Sequence, residues 1–270
     1  MSVSVLMSVY AKEHPEHLFM ALQSIATQTQ RPDEVVLVED GPISAELKAV
    51  IEQFRGELNI KSVRLEKNCG LAVALNEGLK YCSCQFVARM DSDDICLPDR
   101  FEKQIAFMKS RPEIDVSSAW VEEIDETGKV FSIRKIPTEH EAIKKFALIQ
   151  DPINHPVAIF RKEALLSVGG YPNFRKSQDT ALWSLMLQKG FIFGNIDEVL
   201  LKMRAGNDLM RRRNLNYLIY ELKVLCFQRQ IGFISWPIFF RNAFIRSAVR
   251  LSPTFVKRFL YKYARGYNIT

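Results

Sequence analysis

The residues best suited to chemistry are Asp91, Ser92, Asp93 and Asp94, which follow the apolar run Phe86-Val87-Ala88-Arg89-Met90. Carboxylates crowded this closely repel one another and resist loss of water unless a cation compensates. A strand that ends abruptly in such a knot suits Mg²⁺ or Mn²⁺, hard ions that complete their shells with water and substrate phosphates. The alternative is an acidic turn in which Ser92, Asp93 or Asp99 caps the next helix. Asp40 closes an earlier apolar run, where a carboxylate can accept from a base or ribose hydroxyl or serve an Asp-Gly-Pro turn. Asp179 stands at the start of an apolar-faced helix. It is either a first-turn carboxylate favoured by the helix dipole or a general base for an acceptor hydroxyl. Trp183 can stack on a sugar or fill the core. His155, in Asn154-His155-Pro156, is a structural histidine or lies near phosphates. Met210-Arg211-Arg212-Arg213 is a solvated face or a diphosphate clamp, with Arg211 and Arg212 offering guanidinium forks.

Regular elements must carry these groups to one place. Val3 to Val9 predicts a strand, and Leu18, Leu22, Ile25 and Ala26 recur at helical spacing behind Pro15. Strands follow at Glu34 to Val38 and around Ile60 to Leu65, with helices at Ala45 to Phe54 and Leu71 to Tyr81. Phe86 to Met90 is the fourth strand. This βα alternation predicts an α/β fold with a mostly parallel, doubly wound sheet, whose strands run apolar because both faces are covered. In that topology Asp40 and Asp91 reach the same sheet edge. Beyond Pro98 the pattern predicts a helix to about Ser110, then a hairpin of Val116 to Ile124 with Lys129 to Ile133. A helix from Glu139 to Leu148, a strand from Pro156 to Phe160, a helix from Ser177 to Lys189 and a strand from Glu198 to Arg204 complete this half.

Composition narrows the function. The chain has 270 residues, 47% hydrophobic and 25% charged, enough for one large domain or one domain plus an appendage. No apolar run approaches the ~20 residues of a membrane span, and the N-terminus lacks the basic region of a signal peptide. The cysteines at 69, 82, 84, 96 and 226 form no CxxC pair, as expected of a reducing compartment. There is no GxGxxG, no GxxxxGK[ST], no GxSxG and no HExxH. The net charge of +6 is unevenly spread. Residues 202–270 hold 14 Lys/Arg against 2 Asp/Glu, whereas 1–201 hold 23 against 29. A basic tail on a mildly acidic body points to an anionic surface.

Taken in order, several segments resemble glycosyltransferase family 2, the inverting enzymes of GT-A fold. They are Val3 to Tyr10, Ala21 to Thr29, Pro32-Asp33-Glu34, Glu39 to Pro42, Asn68 to Leu79, Ala88 to Ile95, Gly169-Gly170-Tyr171 and Gln178 to Trp183. The resemblance implies a catalytic domain over 1–206, with a nucleotide-sugar half to about 97 and an acceptor half from about 98. It implies that Asp40 holds uracil beside Val9 and Tyr10, with Asn68 and Ser92 among the nucleotide-sugar contacts. Asp91 would contact the ribose or sugar and share the metal, Mn²⁺ or Mg²⁺, with Asp93. Asp179 would be the base of an in-line displacement. Two departures stand out: Gln178 replaces the usual Glu before the base, and Met203-Arg204-Ala205-Gly206 lacks the late metal-binding His, leaving Asn207 or Asp208 as candidates.

The stretch from Gly206 to Arg213 is similar to bacterial surface-polysaccharide members. These include O-antigen hexosyltransferases that move galactose or glucose from a UDP-hexose to an undecaprenyl diphosphate-linked saccharide. Residues 207–270 fit that acceptor. Phe239, Phe240, Phe244 and Ile245 alternate with Arg241, Arg246 and Arg250, and Phe255 and Phe259 with Lys257, Arg258 and Lys262. Basic amphipathic helices of this kind lie in a lipid interface. The expectation is an enzyme peripheral on the cytoplasmic face of a bacterial inner membrane, with no nucleic-acid partner. A sugar nucleotidyltransferase is the alternative, although Tyr10-Ala11-Lys12-Glu13-His14 lacks its glycine-rich loop. A non-enzymatic basic module would leave the acidic knot unexplained.

Overall fold

A computed structural model describes residues 2–205 and 215–252. The first half alternates β1 (Val3–Val9), α1 (Pro15–Ala26), β2 (Glu34–Glu39), α2 (Ala45–Phe54), β3 (Ile60–Arg64), α3 (Leu71–Leu79) and β4 (Phe86–Asp91). The second contains β5 (Ile95–Cys96), α4 (Arg100–Ser110), β6 (Val116–Ile124), β7 (Val130–Arg134), α5 (His140–Ala147), β8 (Ile159–Arg161), α6 (Lys162–Ser167), α7 (Gln178–Gln188) and β9 (Phe193–Arg204). Two helices, α8 (Leu215–Gln230) and α9 (Trp236–Leu251), follow.

The strands form one mixed sheet in the order β3-β2-β1-β4-β8-β6-β9-β5, with β7 on β6. The ladders β1–β2, β2–β3, β1–β4 and β6–β9 are parallel, whereas β8, β7 and β5 run antiparallel to their neighbours. The sequence pattern explains the parallel half. Val3, Val5, Met7 and Val9 of β1, with Val35 and Leu37 of β2, pack with Leu18, Leu22, Leu47 and Ile51 of α1 and α2. Leu6, Val36 and Val38 point the other way, towards Ala74, Leu75 and Leu79 of α3. Alternate residues thus enter two cores, each large aliphatic side chain contributing about 1.5–3 kcal/mol on burial. Gly78 of α3 sets that helix's approach: a Cβ there would lie 2.5 Å from Leu6 Cδ1 and 2.6 Å from Val38 Cγ2.

The order of β2, β1 and β4 places a switch point at β1, where consecutive crossovers leave to opposite sides. Ligands of open α/β sheets bind beyond the carboxyl ends of such strands, and Asp91 terminates β4. The expected strand Pro156 to Phe160 differs. His155–Val157 is a 3₁₀ turn and β8 starts only at Ile159, because proline has no N–H to give a ladder. β9 begins earlier than expected, at Phe193, and pairs with β6 through two register shifts.

The C-terminal helices dock on the acceptor half. Gln228 Nε2 donates to Ser184 Oγ on α7 at 2.6 Å, and Asn242 Nδ2 donates to the Leu148 carbonyl at 2.7 Å. Arg250 clamps Glu221 through two bonds of 2.7 and 2.9 Å, tying α9 to α8. Among the described residues no helix is long and apolar enough to cross a membrane.

Candidate active site

The acidic knot is held from three sides. Arg89, buried in β4, directs its guanidinium to the Met90 carbonyl and the Asp91 carboxylate, fixing Asp91 at the edge while leaving it half-buried. Glu13, in the loop after β1, accepts from Ser92 Oγ at 2.5 Å. Arg204, at the end of β9, donates its backbone N–H to Asp94 Oδ1 at 2.7 Å and its Nε to the Asp93 carbonyl at 3.2 Å. The same guanidinium reaches the Asp125 and Glu126 carbonyls at 3.1 and 3.2 Å. The turn is therefore a positioned object rather than a loose cap.

Its electrostatics separate the three aspartates. Burial, then the charges of Asp91 and Glu13, pushes the Asp93 carboxyl up to about 7. Asp94 is fully buried, and burial followed by Asp93 and Asp91 holds it well above the carboxylate range. With one oxygen accepting from the Arg204 backbone, Asp94 fits a structural role. A site that retains a proton near neutrality is one where a divalent cation would replace that proton. Asp93 and half-buried Asp91 fit such an ion, and among the described residues no third carboxylate, His or Cys joins them as a ligand set. The remaining positions would fall to water and phosphate oxygens.

Asp40 is 4% exposed just past β2. Its carboxylate accepts from Asn68 Nδ2 at 3.0 Å, Cys69 N–H at 2.7 Å and Gly70 N–H at 3.0 Å. Gly41, at φ +86°, allows this closure, since a Cβ would lie 2.6 Å from the Asn68 nitrogen. Asn68 and Asp40 thus brace each other and the start of α3. Val9 is fully buried under this edge and Tyr10 is exposed on it.

Asp179 occupies the first turn of α7 and accepts from its neighbour's Thr180 N–H at 2.9 Å. Burial, then the charge of Asp151, raises its carboxyl to about 7, with Arg134 acting in the opposite sense. Asp151 is held there by Thr180 Oγ1, which donates to it at 2.6 Å. The residue before α7, Ser177, has φ 57°, which makes it the sole positive-φ residue other than glycine among those described. Backbone strain of this kind gathers at functional sites. Tyr171 links the two halves: its N–H donates to Asn76 Oδ1 of α3 at 2.8 Å and its carbonyl accepts from Asn76 Nδ2 at 2.8 Å.

Trp183 and His155, each with a structural and an acceptor-side reading, are both buried. Trp183 is 1% exposed and stacks on Phe160 at 5.6 Å between ring centres, with an edge against Phe193. Its spacing on α7 turns it inward to the core, the second of its two readings. His155 is buried and its Nε2 pairs with Tyr171 Oη at 3.0 Å. Burial, then Arg89, lowers its pKa to about 3, in keeping with the structural reading of this histidine. Arg211, Arg212, Asn207 and Asp208 lie outside the described residues. Sequence reasoning missed Glu13, Arg204 and Asp151. Only Glu13 had a usable signal, an acid just past a strand that ends at the switch point.

A mixed sheet of this order, with a carboxylate turn at its switch point, has the GT-A architecture. Residues 4–168 match the family model "Glycosyl transferase family 2", and the chain belongs to that family. It is 44% identical over 265 residues to "Amylovoran biosynthesis glycosyltransferase AmsE" of Erwinia amylovora, covering 96% of this chain and 97% of that protein. It is 40% identical to an Escherichia coli "UDP-Gal:alpha-D-GlcNAc-diphosphoundecaprenol beta-1,3-galactosyltransferase", covering 96% and 94%. Among solved structures, S. aureus TarS 1-349 superposes with a TM-score of 0.64 at 19% identity, over 84% of this chain and 65% of that one. Pyrobaculum calidifontis PcManGT, solved with GDP-Man and Mn²⁺, gives 0.62 at 15% identity, over 97% and 79%. These distant neighbours share the fold.

Proposed function

We propose that the protein is an inverting hexosyltransferase that uses a UDP-hexose, with galactose or glucose favoured, and a polyprenyl diphosphate-linked saccharide. The observation that carries this reading is the carboxylate turn Asp91 to Asp94 beyond the end of β4, at the sheet's switch point, held by Arg89 and Arg204. The two bacterial relatives support the substrate class, one by a name that includes UDP-Gal and GlcNAc-diphosphoundecaprenol. Val9, Tyr10, Asp40 and Asn68 would shape the uridine pocket, and Asp91 and Ser92 would face the ribose or sugar. A Mn²⁺ or Mg²⁺ ion held by Asp93 and Asp91 would neutralise the departing diphosphate.

Asp179 would take the acceptor hydroxyl proton as that oxygen bonds to the sugar's anomeric carbon. The bond from that carbon to the phosphate oxygen breaks, and UDP leaves with the electron pair. Residues 1–206 would form the catalytic unit and 207–270 a membrane-associating region, with Arg211 and Arg212 near the acceptor diphosphate. The exposed aromatics of α9 support placement on an anionic leaflet, at the cytoplasmic face of the inner membrane in a bacterium. The test is incubation with a panel of UDP-sugars, Mn²⁺ and a GlcNAc diphosphate lipid. Release of UDP with a longer saccharide supports the proposal. Pyrophosphate release from UTP identifies a nucleotidyltransferase instead, and neither product leaves a binding protein. Chelation by EDTA should abolish turnover and added Mn²⁺ restore it; turnover indifferent to EDTA removes the metal from the scheme.

A further inference from the structure

A trough that the transfer chemistry does not use runs along α8. Its first part, of about 480 Å³, is lined by Phe174, Ile219, Leu222, Lys223, Cys226 and Phe227. Its second, of about 410 Å³, is lined by Arg229, Trp236 and Phe239, and Cys226 and Gln230 border both. From Ile219 to Gln230 the helix advances roughly 16 Å at about 1.5 Å per residue. One end lies beside the catalytic half. Phe174 belongs to the loop that leads into α7, where it packs edge-on against Phe227 at 5.4 Å, and Tyr217 near the head of α8 hydrogen-bonds Ser177, two residues before Asp179. The other end opens at Trp236, where the exposed aromatic stripe of α9 begins.

The lining chemistry selects the occupant. Aliphatic and aromatic walls offer a saccharide few hydrogen-bond partners, and no acidic side chain lines either part. The cations are Lys223, which is exposed, and Arg229, whose guanidinium lies 4.9 Å over the Trp236 ring. Arg229 Nε is buried without a hydrogen-bond partner among the described residues. An open apolar trough with two cations in its lining complements a hydrocarbon chain attached to a phosphate. We propose that the trough seats the first isoprene units of the acceptor's polyprenyl chain, leading it from the site at Asp179 to the membrane. This rests on the proposed transferase reading and adds a lipid subsite to it.

The full-length protein, in detergent-free buffer, is assayed with GlcNAc diphosphate carrying either an ethyl or a farnesyl group. The farnesyl acceptor should have the higher kcat/KM by on the order of tenfold, given the apolar surface it buries. Cys226→Trp, which fills the point shared by both parts, and Ile219→Gln should each shrink that ratio towards one. Both positions are exposed, so either variant reads the trough if the other folds poorly. A wild-type ratio near one, or variants that keep the ratio, overturns the subsite while leaving glycosyl transfer standing. Calorimetric titration with farnesyl diphosphate separates the two readings. Binding that Cys226→Trp abolishes supports the trough even if no UDP-sugar is turned over, in which case the transferase reading alone fails. Absence of binding overturns the trough whatever the turnover. Loss of binding to lipid vesicles in Cys226→Trp with the farnesyl preference intact would show a bulk-membrane contact, and overturn it too.

Discussion

Burial is the largest influence that pushes the Asp93 and Asp179 carboxyls up to about 7, but their neighbours differ. Asp93 faces Asp91 and Glu13, a crowding that a divalent cation relieves. Asp179 faces Asp151, and Arg134 partly offsets it, which suits a base that must be ionised before it can act. Its carboxyl lies at about 7, so the ionised fraction grows as pH rises through 7. The acid limb of kcat/KM should therefore fall about tenfold per pH unit below that point and level off above it. Asp179→Asn should cost on the order of a thousandfold or more in kcat; near-wild-type turnover in that variant removes Asp179 from the base role. The same shift has a stability consequence of opposite sense. Between the ordinary carboxylate value and 7 the native state binds more protons than the unfolded one, so stability falls as pH rises through this window. Asp179→Asn removes its share of that slope. Urea unfolding at about pH 5 and about pH 8 in EDTA should show a smaller difference in the variant than in the wild type.

At the scale of elements, two backbone positions set where helices sit. Gly78 lets α3 close on β1 and β2, and a methyl there must displace Leu6 and Val38 together. Gly78→Ala should destabilise by about 1–3 kcal/mol, read by urea unfolding. A neutral result would show that the helix shifts freely. Ser177 holds its left-handed conformation one residue before α7. Ser177→Gly should lower the strain and raise stability by about 0.5–1 kcal/mol if the αL cost outweighs glycine's entropy. Because glycine keeps the left-handed conformation, the turn that carries Asp179 should stay in place and kcat should remain within about twofold of wild type. A loss of stability in Ser177→Gly would show that the serine side chain contributes more than its backbone strain costs.

For the whole molecule, the C-terminal helices are anchored through Gln228, Asn242 and Arg250, while α9 keeps Phe240 at 64% and Phe244 at 73% exposure. Trp236, Phe240 and Phe244 follow at four-residue spacing and share one helix face, with Ile245 and Leu251 also exposed. A contiguous apolar stripe on a basic helix is the expected signature of an interface-seated surface. Phe240→Ser with Phe244→Ser should weaken sedimentation with anionic vesicles at low salt by about tenfold or more, without changing unfolding. Retained vesicle binding would place the membrane contact elsewhere in the chain.

Much of this was legible in the sequence for a physical reason. Parallel strands covered on both faces must be continuously apolar, so β1, β2 and β4 and the acids that end them are visible in one dimension. Asp40, Asp91, Asp93 and Asp179 stand out as candidates in the sequence because a carboxylate beside an apolar run is costly unless something uses it. The helical spacing of α1 and α3 was equally plain. What the sequence left open was which side chains meet. Trp183 and His155 have the residue types of a sugar site, yet packing against Phe160 and pairing with Tyr171 bury them. Glu13, Asp151 and Arg204 lie 79, 28 and 111 residues from Ser92, Asp179 and Asp93, the groups they support. Such partnerships arise only when the sheet brings distant strand ends to one edge, because charge and desolvation act through space and not along the chain.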